Sequence, residues 1–171
     1  MMLYVDLDNT LLDSAGRLVD YDKDYRPLCQ GSYALRSDLL ACFSDPEFYT
    51  PGSIGVNRRV EDFVLGWGAD VSFLSLSPNV EVGVAKRELL DFLGFGGCDF
   101  LSFTSDGEES EVLSGLLSQG AGFWLDDSPA RLGRFAKVGA DFGVVRHTYN
   151  EGLFPLDRYV ACANYLVDSP C

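Results

Sequence analysis

The chain has 171 residues, of which 47% are hydrophobic and 13% aromatic, so it can bury the core of one compact domain. This composition excludes an intrinsically disordered chain, and no apolar run approaches the roughly 18 residues that cross a bilayer. A formal net charge of −13 would repel a nucleic-acid backbone, which argues against long DNA or RNA as a partner.

The N-terminal residues contain neither a basic region nor a cleavage site, so we expect a cytoplasmic protein with no membrane partner. It could be a monomer or a homodimer. The five cysteines, at positions 29, 42, 98, 162 and 171, form no C-x-x-C pair and leave one over. This spacing argues against a zinc site and a disulfide framework, and it predicts cysteines that are reduced and mostly buried.

The first predicted element is a buried strand that ends in a carboxylate-rich loop. The sequence LYVDLDNTLLD, residues 3–13, is an apolar run that stops at Asp6 and Asp8. Such a strand leaves an open α/β sheet at its carboxyl edge, where ligands bind. The two carboxylates could serve as a nucleophile and an acid/base, although Asp8, Asn9 and Thr10 could instead form a surface turn.

Two less regular stretches follow this strand. Residues 11–19 have apolar positions on both sides of the sequence SAGR, which predicts a short hairpin. Residues 21–50 have poor periodicity, and we interpret them as a small insert with one short helix over residues 33–43. The alternative, a structureless loop of that length, is unusual inside a compact domain.

From residue 51 onward, apolar runs and helical periodicities alternate, which favours a five-stranded parallel sheet flanked by helices. In addition to the first strand, strands are predicted over residues 71–76, 98–103, 122–125 and 142–145. Helices are predicted over residues 56–67, 82–93, 108–119 and 129–138, with a last amphipathic helix over residues 156–167.

A second acidic cluster, Asp126 and Asp127, directly follows the apolar residues of a predicted strand. If this strand and the first one are neighbours, four carboxylates converge on one edge of the sheet. They would repel one another unless a hard cation neutralised them. Mg²⁺ is bound by a few carboxylates together with water and substrate phosphate, so the two stretches predict a Mg²⁺ site.

The motif Asp6-x-Asp8-x-Thr10, the following Leu11-Leu12 and the later Asp126-Asp127 resemble the haloacid dehalogenase (HAD) superfamily of aspartate-nucleophile phosphatases. The resemblance spans most of the chain. It implies a single Rossmann-like domain over residues 1–171, with a flap hairpin at residues 11–19 and a small cap insert at residues 21–50. It also implies Mg²⁺-dependent hydrolysis of a small phosphorylated metabolite through an aspartyl-phosphate.

The same resemblance implies roles for individual carboxylates. Asp6 would attack phosphorus, and Asp8 would protonate the leaving oxygen and then activate the water that releases phosphate. Mg²⁺ would be held by Asp6, the backbone carbonyl of Asp8 and Asp126, with Asp127 binding it directly or through a neighbour. Thr10 would help to orient Asp8.

The resemblance further implies a phosphate site that includes the loop residues Asn9 and Thr10. In this family a Ser or Thr at the end of the second strand binds the phosphoryl group with its hydroxyl and the following backbone N–H. Ser75, followed by Leu76, fits better than Ser77, which precedes a proline without an N–H. Alternatively, both serines could simply cap the next helix.

Lys86 is the candidate for the cation with which the family binds phosphate. It lies on the apolar stripe of its helix, so its stem should face the sheet. It is also about seven residues into that helix, roughly 10 Å from the end, and could instead reach a structural carboxylate. Arg131 and Arg58 are the next candidates.

His147, the only histidine, and the tyrosines of the insert each allow two interpretations. His147 could meet a substrate, or it could be a histidine whose hydrogen bonds are satisfied inside the protein. The tyrosines could stack on a nucleobase or pack the cap; they are Tyr21, Tyr25, Tyr33 and Tyr49.

Residues 48–52, 77–78 and 146–150 loosely resemble 5′(3′)-deoxyribonucleotidases, which favours a nucleoside monophosphate as the substrate. A protein phosphatase resembling the small magnesium-dependent cap-less members is an alternative within the class. A non-catalytic phospho-ligand binder is the alternative from another class, and the intact pair of Asp6 and Asp8 argues against it.

Overall fold

The computed structural model describes residues 1–21, 41–68, 70–120 and 122–164. In chain order the elements are β1 (Met2–Asp6), β2 (Leu12–Asp13), α1 (Ser14–Tyr21), β3 (Gly55–Val56), α2 (Arg58–Gly66), β4 (Val71–Leu76), α3 (Val80–Phe92), β5 (Asp99–Phe103), α4 (Asp106–Ser118), β6 (Gly122–Asp126), α5 (Pro129–Val138), β7 (Asp141–Arg146) and β8 (Tyr159–Cys162). Single 3₁₀ turns cover Pro46–Tyr49 and Leu156–Arg158. The elements predicted between residues 56 and 145 are confirmed to within two residues at each boundary.

The central sheet is parallel and contains six described strands in the order β5-β4-β1-β6-β7-β8. Helices flank it, so the chain has an α/β, Rossmann-like architecture, as predicted. The predicted number of five strands and the predicted C-terminal helix are wrong. Residues 159–162 form β8, which pairs with β7 through Val145 and Ala161. The aromatic and β-branched residues Tyr159 and Val160 suit a strand, and β8 covers an edge that β7 would otherwise expose.

The core lies on both faces of the sheet. Leu3 and Val5 of β1 are fully buried in one apolar cluster, together with Val60 of α2 and Leu89 of α3. Because side chains alternate along a strand, a second apolar cluster lies on the opposite face, and its buried residues from α4, β6 and α5 include Leu113, Trp124, Leu132 and Phe135. The continuous apolar run of β1 is explained by this double coverage.

The helices change face at β1, the position where ligands bind in open α/β sheets. The strand lies between β4 and β6, with Asp6 paired to Leu74 on one side and Val5 paired to Leu125 on the other. Asp6 and Asp126 therefore end neighbouring strands at the same level. This register brings the two acidic stretches of the sequence together.

The predicted hairpin over residues 11–19 is wrong, because the chain enters helix α1 at Ser14. Leu12 and Asp13 form β2, which pairs antiparallel with β3 through Leu12 and Val56. The side chain of Asn9 accepts a hydrogen bond from the Ala15 N–H at 2.8 Å, and that of Asp13 accepts one from the Gly16 N–H at 3.0 Å. These polar side chains satisfy N–H groups in the first turn of α1, which favours the helix.

Most of the predicted cap insert, including its predicted helix at residues 33–43, lies outside the described residues. Its last residues form the 3₁₀ turn Pro46–Tyr49, in which Phe48 and Tyr49 are fully buried. Among the described helices, none has the length and apolarity to cross a membrane. Cys98 is a free thiol, whereas Cys162 is disulfide-bonded, so the prediction of reduced cysteines is wrong at Cys162.

Candidate active site

Three carboxylates meet at the carboxyl ends of β1 and β6. Asp6, Asp126 and Asp127 are 4%, 3% and 1% exposed, and each places an oxygen atom within 4.8 Å of an oxygen of the others. The predicted convergence of the two acidic stretches is therefore confirmed for these three residues. The carboxylate of Asp8 points to a different set of partners, described below.

Burial makes this cluster electrostatically unfavourable when it is ionised. Desolvation raises the pKa of Asp6 well above its ordinary value, and it also raises the pKa of Asp126. Burial and the neighbouring charge of Asp126 raise the pKa of Asp127 to about 7. These pKa values remain raised although the charge of Arg131 lowers each of them, so additional positive charge would favour ionisation of all three carboxylates.

Arg131, in the first turn of α5, places its positive charge among these carboxylates. Its Nη2 lies 2.9 Å from Asp6 Oδ1, its Nε 2.7 Å from Asp126 Oδ2, and its Nη1 2.8 Å from Glu109 Oε1 of α4. Burial by itself lowers the pKa of Arg131, but Asp126 and Asp6 raise it well above its ordinary value. One guanidinium thus bridges carboxylates from β1, β6 and α4.

Asp6 keeps one oxygen outside this network. Its Oδ2 atom is buried and has no hydrogen-bond partner among the described residues. A buried carboxylate oxygen without a partner is costly unless it binds a ligand or a cation. The residues Asp6, Asp126 and Asp127 together offer the hard oxygen ligands that Mg²⁺ prefers, so they fit a divalent cation.

The carboxylate of Asp127 accepts hydrogen bonds from two hydroxyl groups. Thr10 Oγ1 donates to Asp127 Oδ1 at 3.0 Å, and the hydroxyl of Tyr149 donates to Asp127 Oδ2. The side chain of Asn150 donates to the Asp127 carbonyl at 2.8 Å. The predicted role of Thr10 in orienting Asp8 is wrong, because its hydroxyl is directed across the site to Asp127.

The Asp8 carboxylate accepts four hydrogen bonds on the other side of the site. Lys86 Nζ and Ser75 Oγ donate to its Oδ2 at 2.7 and 3.3 Å. Ser14 Oγ and the Tyr49 hydroxyl donate to its Oδ1 at 2.7 and 3.1 Å. These four hydrogen bonds fix the orientation of the Asp8 carboxylate.

Lys86 reaches the site in spite of its position far along α3. Its side chain is 1% exposed, and Nζ lies 2.7 Å from Asp8 Oδ2, from Ser75 Oγ and from the Leu76 carbonyl. The same nitrogen lies 4.5 Å from the centre of the Tyr49 ring, which adds a cation–π contact. Lys86 therefore reaches a carboxylate, and this carboxylate belongs to the candidate site, while binding of phosphate by Lys86 stays a prediction.

The two candidate serines are clearly separated by their contacts. Ser75 is buried and bonded to Lys86 and Asp8, whereas Ser77 Oγ is buried without a hydrogen-bond partner among the described residues. The alternative that both serines cap α3 is wrong, because Asn79 accepts the Val82 N–H at 2.8 Å. Of the two serines, Ser75 is therefore the one in contact with Lys86 and Asp8.

The loop between the two acidic residues is held by His147. Asn9 adopts a left-handed backbone with φ of 61°, and its carbonyl lies 2.6 Å from His147 Nε2. His147 is 1% exposed, and burial lowers its pKa to about 4. It is thus a histidine satisfied inside the protein. Asn9 Oδ1 and Thr10 Oγ1 are likewise engaged inside the protein, which leaves the backbone of both residues and the Asn9 side-chain nitrogen for the predicted contact with phosphate.

Of the tyrosines in the insert, only Tyr49 has a described side chain, and it packs under Lys86, away from any exposed stacking surface. Arg58 pairs with Glu61 on the exposed side of α2, so it is no alternative to Lys86. The sequence offered one signal for Arg131, its place five residues after Asp126 at the start of a helix.

The assembled site contains a buried carboxylate with one available oxygen, a cluster suited to a divalent cation, and a lysine and serine that could bind an anion. These groups could support nucleophilic attack, charge neutralisation and proton transfer at one place. No protein-family model matches this chain, and no curated protein matches it.

Proposed function

We propose that this protein is a Mg²⁺-dependent phosphatase of the haloacid dehalogenase type that hydrolyses a small phosphomonoester. The observation that carries the proposal is Asp6 Oδ2, a buried carboxylate oxygen without a described partner at the point where the helices change face. On one side of Asp6 is the carboxylate cluster, and on the other is the group formed by Asp8, Lys86 and Ser75.

In the proposed first step, Asp6 Oδ2 attacks phosphorus, and the bond from phosphorus to the leaving oxygen breaks. Asp8, which enters this step protonated, donates its proton to that oxygen and is left ionised, and an aspartyl-phosphate remains on Asp6. In the second step Asp8 takes a proton from water as the water attacks phosphorus, and inorganic phosphate leaves. Both steps conserve charge and protons between the substrate, water and Asp8.

Lys86 and Ser75 would bind the phosphoryl oxygens during these steps. Because both currently donate to Asp8 Oδ2, a bound phosphoryl group would draw them from that oxygen and free it for proton transfer. Asp6, Asp126 and the Asp8 carbonyl would hold Mg²⁺, with Asp127 beside them. The cation would supply charge neutralisation for the carboxylates and for the phosphoryl group.

Nucleoside monophosphates are our first candidates because of the local resemblance of residues 48–52, 77–78 and 146–150 to deoxyribonucleotidases. A screen of nucleoside monophosphates, sugar phosphates and phosphopeptides tests this choice. A phosphopeptide preference would favour the protein phosphatase alternative.

The experiment for the reaction itself measures phosphate release from an aryl phosphate by the full chain. We expect activity with Mg²⁺, none in EDTA, and none in Asp6→Asn, which removes the nucleophile. Asp13→Asn is the matched control, since Asp13 lies in β2 and contacts the Gly16 N–H and the Asn164 side chain. Metal-independent turnover, or full activity in Asp6→Asn, would refute the mechanism. Phosphate binding without turnover would favour the non-catalytic alternative.

A further inference from the structure

We propose that Arg131 is the resident counter-cation of the carboxylate cluster, and that a divalent cation binds there only by displacing its guanidinium from Asp6 and Asp126. The inference rests on the proposed Mg²⁺ dependence. It assigns to Arg131 a role in setting the affinity of the cluster for metal, in addition to its structural role between α4 and the sheet.

The first argument is the geometry of the guanidinium. Each of its three nitrogens lies within 2.9 Å of a different carboxylate, from Asp6, Asp126 and Glu109. Arginine presents donors in a rigid planar fork, which suits it to hold several carboxylates in fixed positions. The guanidinium therefore neutralises the same groups that a divalent cation would neutralise.

The second argument is the shortage of available oxygens in the cluster. Arg131 occupies one oxygen each of Asp6 and Asp126, and the Ser128 N–H donates to the other Asp126 oxygen at 2.8 Å. Both oxygens of Asp127 accept hydroxyl groups. Asp6 Oδ2 is thus the one cluster oxygen without a hydrogen bond among the described residues, and Mg²⁺, which takes several oxygens at about 2.0–2.1 Å, also needs the positions beside Asp6 and Asp126 that the guanidinium occupies.

The third argument is charge. A divalent cation beside the guanidinium would be repelled by it, because two cations a few ångströms apart in a partly buried site repel strongly. The displaced guanidinium can keep its ion pair with Glu109. The side chain of Glu109 is 15% exposed, whereas those of Asp6 and Asp126 are each 5% exposed, so this contact lies nearer the solvent.

The test compares cation binding by the EDTA-treated full chain in wild type, Arg131→Gln and Arg134→Gln. Arg134 is the matched control, because it lies on the same helix and its contacts are the Ser110 carbonyl and Ser114 hydroxyl, both at 3.3 Å. Free Mn²⁺ is followed by electron paramagnetic resonance, and Mg²⁺ binding by calorimetry. Thermal unfolding is measured in EDTA and in Mg²⁺.

We expect Arg131→Gln to bind Mn²⁺ at least about tenfold more tightly than wild type, while Arg134→Gln binds as wild type does. Arg131→Gln should have a lower melting temperature than wild type in EDTA, and Mg²⁺ should raise its melting temperature by more than it raises that of wild type. If this variant does not fold in EDTA, the displacement of the guanidinium is tested in the wild-type protein. Mg²⁺ should then shift the nuclear magnetic resonance signal of the Arg131 Nε–H, assigned by its loss in Arg131→Lys.

Two negative results have different meanings. If wild type binds Mn²⁺ and Arg131→Gln binds it no more tightly, or if the Arg131 signal is unmoved by saturating Mg²⁺, the counter-cation role is refuted while the proposed phosphatase stands. If no variant, wild type included, binds either cation, the proposed Mg²⁺ dependence fails and this inference fails with it.

Discussion

Replacing Lys86 by methionine should destabilise the protein and abolish phosphate release. Methionine nearly preserves the stem but removes an ammonium group that has three acceptors at 2.7 Å and is 1% exposed. Removing one partner of a buried ion pair typically costs about 3–5 kcal/mol. Here Asp8 is 19% exposed and keeps its other donors, so we expect about 2–3 kcal/mol.

The assay is urea unfolding of wild type, Lys86→Met, Asp8→Asn and the double variant. Because the two side chains touch, their effects should be non-additive by about 1–3 kcal/mol. Lys137→Met is the control, since Lys137 is exposed in the last turn of α5 and should matter by less than about 0.5 kcal/mol. A cost below about 1 kcal/mol for Lys86→Met, or additive effects in the double variant, would refute the reasoning.

Three further results are expected. Ser75→Ala should weaken phosphate binding measured by calorimetry, while Ser77→Ala should leave it unchanged; equal effects would remove the distinction between the serines. Asp8→Asn should slow phosphate release at least about 10²-fold, and a variant near wild type would reassign the acid/base. Since burial lowers the pKa of His147 from 6.5 to about 4, its contribution to stability is full above pH 6.5 and is lost as the pH falls towards 4, by roughly 3 kcal/mol. In urea unfolding at several pH values, His147→Gln should lose this destabilisation by acid. The carboxylates cannot cause it, because their raised pKa values make the folded protein more stable as the pH falls. Unchanged acid sensitivity in His147→Gln would therefore contradict the assignment.

The central strands could be predicted from the sequence because their signals are local. The run VSFLSL at residues 71–76 is apolar and lies between a glycine-containing segment and a proline, and it forms β4 with the predicted boundaries. Parallel strands buried on both faces need such continuous apolar runs. The position of Asp6 and Asp126 at one edge then followed from the topology of parallel sheets.

The two errors in secondary structure arise from contacts between distant segments. Leu12 pairs with Val56, so nothing within residues 11–19 could reveal that the partner of β2 lies far along the chain. At the C-terminal end, the apolar residues fall at helical spacing by coincidence, and β7 provides the edge that makes Tyr159–Cys162 a strand. Propensity is a weak guide where such pairing competes with it.

The contacts within the site divide in the same way. Asp6 and Asp126 could be found from their places at strand ends, but the partner of Thr10 could not, because its hydroxyl crosses to Asp127 on another strand. In the sequence Arg131 is a further candidate for the cation that binds phosphate, and no local pattern indicates that it bridges carboxylates. Its role depends on the direction in which α5 leaves β6, which points the first turn of the helix back to the carboxylates.

Lys86 and Arg131, the two cationic side chains described in the site, are both paired with carboxylates. We therefore predict that Mg²⁺ and phosphate each strengthen the binding of the other. Lys86 is bonded to Asp8, and Arg131 to Asp6 and Asp126. In this protein of net charge −13, the positive charges that phosphate would meet at the site are therefore already neutralised by carboxylates. A bound divalent cation adds positive charge at this edge and attracts phosphate, and by linkage phosphate must favour the cation equally.

We expect phosphate to bind at least about fivefold more tightly in saturating Mg²⁺ than in EDTA, by calorimetry on the wild-type chain. Lys86→Met should bind phosphate weakly in both conditions, because the direct cation is lost. Identical phosphate affinity with and without Mg²⁺ would mean that the anion and the cation bind too far apart to interact. In that case Asp6 could not lie between them, and the proposed attack on phosphorus would lose its geometric basis.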